Sequence, residues 1–246
     1  MARKGQLRVQ RANTVINVTS RRQEQDIYRA LQNVVNTLDS RYGEEVTFSH
    51  NVQWYLKDIV SLLQTSFPED KFHYHFDTSS IRPDGGILCV LGVDNEAYPI
   101  LISEVKNQGT NDLRLKEGKP KQARGNAIER LGKNLIGLRA ALMRESIFPF
   151  VCFGYGCDFE EDSSILDRVS TMAIFGELNK ICLHNKLDGR LNRGSFYFRP
   201  ERWQVTEMTR VMTEIAERAL LYYFSKYGRS HFYTVPLEHL AEESKG

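Results

Sequence analysis

The chain has 246 residues and a formal net charge of +2, so it is long enough to bury one substantial core and is nearly neutral overall. A role in binding nucleic acid would therefore depend on local clusters of basic residues. No apolar run approaches the length that crosses a membrane, and no leader segment is visible. The four cysteines lack metal-ligand spacing, and we expect them to be reduced in a cytoplasmic protein.

Two segments of the chain are strongly basic. Residues 1–22 carry six Lys or Arg and no acidic residue, and residues 113–144 carry nine against two Glu. Such runs are often only solvated surface, and the first could be a tail without fixed structure. We interpret residues 1–22 as a basic N-terminal arm and residues 23–246 as a single domain, with two smaller domains as the alternative.

The first third of the chain predicts helices followed by strands. Apolar residues at helical spacing predict a helix that ends near Gly43, and a second apolar stretch predicts a helix that stops at Pro68. Three strands should follow, the last two joined by a turn at residues 94–96. The predicted elements are a helix with Ile27, Leu31, Val34, Val35 and Leu38 on its apolar face, a helix over 54–67, and strands over 72–76, 87–93 and 97–103.

The remaining chain predicts helices alternating with strands. After Pro120, five apolar residues at steps of three and four predict one buried helical stripe. These stripe residues are Ile128, Leu131, Leu135, Leu138 and Leu142. Strands are predicted over 150–155 and 194–198, and helices over 166–184 and 204–227. This mixture of elements predicts an α/β fold in which helices flank a mixed central sheet.

One short pattern in the strand region carries chemistry. Pro83-Asp84 precedes the strand pair, and Glu104-Val105-Lys106 ends it. Alternation along a strand sends Glu104 and Lys106 to one face and Val105 to the other. Two carboxylates suit Mg²⁺, and a nearby lysine can hold the attacking water. The pattern is typical of metal-dependent phosphodiesterases of the PD-(D/E)xK type.

The triad alone is a weak signal, because the chain contains three other Glu-x-Lys sequences. They begin at Glu69, Glu117 and Glu243. Only Glu104 and Lys106 end an apolar strand, where a carboxylate would be costly to bury unless it were paired or bound to metal. The strand position therefore favours this copy of the motif as the metal site.

Longer blocks around the triad give a more specific signal. They are Ser79-Ser80-Ile81-Arg82-Pro83-Asp84-Gly85-Gly86, Ser103-Glu104-Val105-Lys106-Asn107-Gln108-Gly109 and Gly125-Asn126-Ala127-Ile128-Glu129-Arg130. In this order they closely resemble the EcoRI family of type II restriction endonucleases, with looser likeness at residues 145–151 and 165–168. The resemblance covers roughly residues 75–170.

The resemblance implies a restriction-endonuclease-like PD-(D/E)xK core and a homodimer that cleaves a short palindrome in double-stranded DNA. Mg²⁺ would be bound by Asp84, Glu104 and the Val105 carbonyl, while Lys106 would orient and activate the water. Hydrolysis would leave 5′-phosphate and 3′-hydroxyl ends. A DNA methyltransferase acting on the same site would be expected, without forming a stable complex.

The block from Gly125 to Arg130 is expected to read DNA sequence. Asn126 and Arg130 lie four residues apart, at the start of the predicted helix, and could face a major groove. In the family, the residues matching Asn126, Ala127 and Arg130 read the A·T pairs of a central AATT. The alternative for Asn126 is a simple helix cap. Arg168, in an Ile-Leu-x-Arg block, is a further DNA-binding candidate.

The sequence leaves more than one choice for the base pair that flanks the AATT core. Arg124 directly precedes the Gly-Asn-Ala motif, where the enzyme that gives the family its name has alanine, and Thr171 replaces a second arginine of that enzyme. A family member specific for CAATTG also carries arginine directly before this motif. Because arginine is the usual partner of guanine, we favour CAATTG over GAATTC, with a bare AATT site also open.

Two alternative functions stay open, a catalytically silent DNA-binding protein and a repair nuclease that reads DNA structure. The intact triad argues against the first, and the Gly125–Arg130 block argues against the second. Three other features are interpreted as structural. We expect His73 and His75 to be strand residues without a zinc site, the acidic run starting at Asp158 to be solvated, and residues 196–198 to be a strand core.

Overall fold

The computed structural model describes residues 15–107, 109–121, 125–159, 168–169, 180–183 and 195–233. The helices in these ranges are α1 (Val15–Tyr42), α2 (Leu56–Ser66), α3 (Gly109–Lys116), α4 (Gly125–Ala141) and α5 (Val205–Tyr227). The strands are β1 (Phe48–Asn51), β2 (Trp54–Tyr55), β3 (Ser80–Ile81), β4 (Gly86–Leu91), β5 (Ala97–Asn107), β6 (Phe150–Tyr155), β7 (Lys180–Leu183) and β8 (Ser195–Arg199). None of the helices in this part of the chain is long and apolar enough to cross a membrane.

A mixed six-stranded sheet forms the centre of the described structure, with the order β1-β4-β5-β6-β8-β7. β1, β4 and β5 are antiparallel neighbours, whereas β5, β6, β8 and β7 run parallel. β2 and β3 form a separate two-stranded ribbon. The expected α/β fold with a mixed sheet flanked by helices is confirmed.

Alternation along the strands gives the sheet two apolar faces. Leu88 and Leu101 pack with α1 and α5 on one face, and Ile87 and Ile102 pack with α4 on the other. Because side chains alternate, Glu104 points to the same side of β5 as Ile102. The central strand therefore carries an apolar core residue and then a charged residue on its α4 face.

The two amphipathic helices predicted most strongly are present. Ile27, Leu31, Val34 and Leu38 of α1 are buried, as are Leu131, Leu135, Leu138 and Leu142 in and just after α4. The side chain of Ile128 lies outside the described part. α5 begins with the Gln204 N–H donating to the Glu207 carboxylate at 2.9 Å, half of the reciprocal arrangement that satisfies a helix start.

Three predicted elements were wrong in whole or in part. Residues 72–76 form no strand and are largely exposed, with Phe76 at 70%; none of the described strands pairs with them. The helix predicted over 54–67 starts at Leu56, because Trp54 and Tyr55 pair with β3. The helix predicted over 166–184 cannot extend through β7, which pairs in parallel with β8.

Candidate active site

Asp84, Glu104 and Lys106 meet where β5 extends beyond the start of β4. Gly86 is the first residue of β4 and pairs with Ser103, so β6 is the only described strand that neighbours residues 104–107. Asp84 lies in the turn that leads into β4. That turn fills the position beside β5 that β4 leaves open.

Backbone hydrogen bonds connect the turn at Asp84 with the end of β5. The Asp84 N–H donates to Glu104 Oε2 at 2.9 Å, and the Val105 N–H donates to Asp84 Oδ2 at 3.2 Å. Lys106 donates to Glu104 Oε1, and its Nζ lies 3.5 Å from Asp84 Oδ2. The lysine therefore bridges both acidic side chains.

Burial determines the electrostatics of the site formed by Asp84, Glu104 and Lys106. The Glu104 side chain is only 3% exposed, against 17% for Lys106 and 30% for Asp84. Burial raises the pKa of Glu104 above its ordinary value, although the Lys106 ammonium opposes that shift. Burial alone would lower the pKa of Lys106, but the charges of Glu104 and Asp84 outweigh it and raise that pKa. At neutral pH, Lys106 is thus a cation.

The turn that holds Asp84 is tightly packed against Ser103 at position 85. A Cβ on Gly85 would lie 2.1 Å from Ser103 Oγ, and the Gly85 N–H donates to the Ser103 carbonyl at 2.9 Å. His50 Nε2 donates to the Gly85 carbonyl at 3.2 Å. Gly86 has a φ of 76°, a conformation that favours glycine. Sequence reasoning missed His50 and Ser103, because their contacts join positions distant in the chain.

The side chains present fit a hard divalent cation. The two carboxylates already converge on one cationic group, the Lys106 ammonium, and oxygen ligands are those that Mg²⁺ prefers. Nowhere in the described ranges do three or more His, Cys, Asp or Glu gather as a metal site. A cation here would take its other ligands from backbone, water or a substrate phosphate, as Mg²⁺ usually does.

The competing Glu-x-Lys sequences differ from this site. Glu69 and Lys71 are exposed on an irregular segment, and the sequence starting at Glu243 lies outside the described residues. Glu117 and Lys119 bond to each other at 2.7 Å with half-exposed side chains. Of the two pairs whose contacts are described, only Glu104–Lys106 has Asp84 as a third member.

The structure describes the residues predicted to read DNA only in part. Gly125, Asn126, Ala127 and Arg130 belong to the N-terminal part of α4, but their side chains are outside the described part, as are all of Arg124 and Thr171. Arg168 is exposed, and its backbone is helical. Residues 1–14 are not described, and residues 15–22 form the start of α1. Their assigned roles stay predictions.

Other predicted features have mixed outcomes. Phe196, Tyr197 and Phe198 are buried in β8, so the prediction of a strand core is confirmed. His73 and His75 are exposed, but not on a strand. The expectation that solvation explains Asp158 was wrong, because this side chain is fully buried and accepts a hydrogen bond from Asn111 at 2.6 Å. The later residues of the acidic run are not described.

The fold and this site define a class: α/β proteins in which a central strand presents a glutamate and a lysine, and the turn before the neighbouring strand presents an aspartate, the PD-(D/E)xK arrangement. The sequence profile of the family described as restriction endonuclease EcoRI matches residues 9–229. The chain belongs to the EcoRI restriction endonuclease family.

Two curated relatives agree with this assignment. The type II restriction enzyme RsrI of Cereibacter sphaeroides is 30% identical over 179 residues, 58% of this chain and 64% of the relative. The type II restriction enzyme EcoRI of Escherichia coli is 29% identical over 170 residues, 66% of this chain and 58% of the relative. The chain thus aligns with less than two thirds of the length of each relative.

Proposed function

We propose that this chain is a type II restriction endonuclease that hydrolyses double-stranded DNA at a short palindrome, using Mg²⁺. The observation that carries the proposal is the convergence of Asp84, Glu104 and Lys106 at the end of a central strand in a member of this family. The enzyme would act in the cytoplasm, and a separate DNA methyltransferase would modify the same sequence.

The metal would be bound by Asp84, Glu104 and the carbonyl of Val105, where it would polarise the phosphate and lower the pKa of a bound water. Glu104 is well suited to this role because it is fixed by the Asp84 N–H and shielded from solvent. A preorganised oxygen ligand of this kind does not need to be reoriented when DNA binds.

Lys106 would hold the attacking water in line with the phosphorus atom. The Lys106 side chain is protonated and is held in place by two carboxylates. It would therefore donate hydrogen bonds to the water oxygen and to the negative charge that develops on the phosphate. Attack by water would form a new P–O bond and break the bond to O3′. The products would be 5′-phosphate and 3′-hydroxyl ends.

Sequence recognition would come from α4 and the residues next to it. Asn126, Ala127 and Arg130 would contact the A·T pairs of an AATT core, with Gly125 allowing close approach of the backbone. Arg124 would donate to guanine of the outer pair, which favours CAATTG, and Arg168 would be a further DNA contact. A palindrome presents the same half-site to each of two protomers, so the proposal includes a homodimer.

Digestion of a plasmid of known sequence by the purified protein in Mg²⁺, followed by sequencing of the ends, tests the proposal. We expect cuts only within AATT-centred palindromes, with 5′-phosphate ends, and no cleavage in EDTA. Specific binding without cleavage would instead indicate a silent DNA-binding protein. Cleavage that depends on DNA structure and not on sequence would indicate a repair nuclease.

Oligonucleotide duplexes carrying CAATTG, GAATTC, TAATTA and AAATTT test the outer base pair. Arg124→Ala is expected to relax discrimination at that pair by about 1–3 kcal/mol while AATT stays required. Equal rates on all four duplexes with the parent protein would contradict a base-reading role for Arg124. A preference for GAATTC would contradict the CAATTG assignment.

A further inference from the structure

The segment of residues 109–121, here called the connecting segment, joins the catalytic strand to the proposed recognition helix. It contains α3 and ends at Lys121. Its first residue is three positions after Lys106, and its last is four positions before Gly125, the first residue of α4. The position of this segment therefore affects both the end of β5 and the start of α4.

Polar side chains fasten the connecting segment to the turn that follows β6. Asn111 Nδ2 donates to Asp158 Oδ2 at 2.6 Å, and Lys121 Nζ donates to the Cys157 carbonyl at 2.6 Å. The Lys121 ammonium also lies 3.9 Å from Asp158 Oδ1. On the same turn, the Cys157 N–H donates to Asp112 Oδ1 at 2.8 Å.

Asp158 is the buried centre of these contacts. Its side chain is fully buried and Asn111 is 3% exposed. A buried carboxylate is tolerated only with hydrogen-bond and charge partners. Asn111 and Lys121 come from the two ends of the connecting segment, so one carboxylate holds the chain that leaves β5 and the chain that approaches α4.

The turn that carries Asp158 is itself fixed beside the active site. β6 is the parallel neighbour of β5, with Gly154 opposite Lys106 and Tyr155 opposite Asn107. Asp158 follows this register by only three residues. Movement of the connecting segment relative to Lys106 would therefore require Asp158 to lose its buried partners, or β6 to shift along β5.

We propose that Asp158 is a positioning residue that couples sequence recognition at the start of α4 to hydrolysis at Asp84, Glu104 and Lys106. This inference rests on the proposed function. Through Asn111 and Lys121 it anchors both ends of the connecting segment, so that a correctly docked α4 aligns the scissile phosphate and a wrongly docked one does not. Networks of buried hydrogen bonds and ion pairs such as this one can carry energetic coupling between two sites.

The test is the ratio of single-turnover cleavage rates on the preferred palindrome and on duplexes that differ from it by one base pair. Asp158→Asn keeps the shape of the side chain but removes its charge, and we expect this ratio to fall on the order of tenfold. Glu117→Gln is the matched control, because it removes a carboxylate from an exposed pair in the same connecting segment. The control should keep the parent ratio.

A purely structural role would lower the fraction of active protein equally for every substrate and would leave the ratio unchanged. An unchanged ratio in folded Asp158→Asn would therefore overturn the proposal. If that variant does not fold, Lys121→Gln decides, since this side chain is at the edge of the cluster; its ratio should fall in the same direction, and an unchanged ratio would overturn the coupling. If the parent cleaves no palindrome, the proposed function fails first and the coupling fails with it.

Discussion

Among the described residues, two Glu-x-Lys sequences form ion pairs that differ in burial and in their neighbours. Glu117 and Lys119 bond at 2.7 Å, with side chains that are 43% and 57% exposed. Glu104 and Lys106 also bond, but their side chains are 3% and 17% exposed, and Asp84 lies against the lysine. The same three-residue motif is thus a solvated surface pair at one place and, at the other, a largely buried pair with the partly exposed Asp84 beside it.

The position of the motif in a strand determines its burial and the pKa of its glutamate. An exposed ion pair contributes little to stability, because water already solvates both charges. In β5, alternation points Glu104 toward the α4 side of the sheet, where burial raises its pKa. Glu104 and Lys106 are therefore held together largely away from water, with the partly exposed Asp84 beside them.

The largest expected difference between the two pairs is in the effect of their substitution on the rate of DNA cleavage. Glu104→Ala should lower the single-turnover rate on the preferred palindrome on the order of 10²–10⁴-fold, because a fixed ligand of the proposed metal is lost. Specific binding measured in Ca²⁺ should be largely retained. Glu117→Ala should cleave like the parent. Loss of Ca²⁺-supported binding and of folding in Glu104→Ala would instead indicate a structural role.

The next effect is on stability. Lys106→Met removes the cation that faces the buried Glu104 carboxylate, and breaking one partner of a buried pair costs about 3–5 kcal/mol. Lys119→Met breaks an exposed pair and should cost about 0–1 kcal/mol. Urea denaturation at neutral pH measures both. Equal losses in the two variants would show that burial of the first pair has no energetic consequence.

The smallest effect concerns pH. Burial raises the pKa of Glu104 above its ordinary value near 4.5, so the folded protein holds this proton more tightly than the unfolded chain. The resulting stabilisation is fully present below that ordinary pKa and is lost as pH rises through the raised one. The unfolding free energy of Glu104→Gln, relative to the parent, should therefore increase as pH rises above 4.5. A flat or falling difference would contradict the raised pKa.

Much of the site could be read from the sequence because it depends on local rules. The apolar run before Glu104 predicts a strand, and strand alternation places Glu104 and Lys106 together. The full length of β5 could not be predicted, since its last residues are held by the neighbouring β6 and by the turn at Asp84. The mixed polar and apolar residues 104–107 do not by themselves show where the strand ends.

The errors arise where distant parts of the chain decide the outcome. The acidic run at Asp158 reads as solvated loop, but Asn111 and Lys121 arrive from another segment and allow burial of its first carboxylate. Residues 180–183 are within a helical pattern, yet they join the sheet beside β8. Propensity is a weak guide where tertiary pairing offers a better set of contacts.

We propose that Asp84, Glu104 and Lys106, and not the exposed Glu117–Lys119 pair, hydrolyse DNA. The most direct measurement compares Lys106→Ala and Lys119→Ala in single-turnover cleavage of one duplex carrying the preferred AATT palindrome, in Mg²⁺, with binding checked in Ca²⁺. We expect Lys106→Ala to bind the duplex specifically but to cleave it on the order of 10²–10⁴-fold more slowly than the parent, while Lys119→Ala cleaves like the parent. Cleavage by Lys106→Ala at the parent rate would contradict the assignment of this corner as the active site.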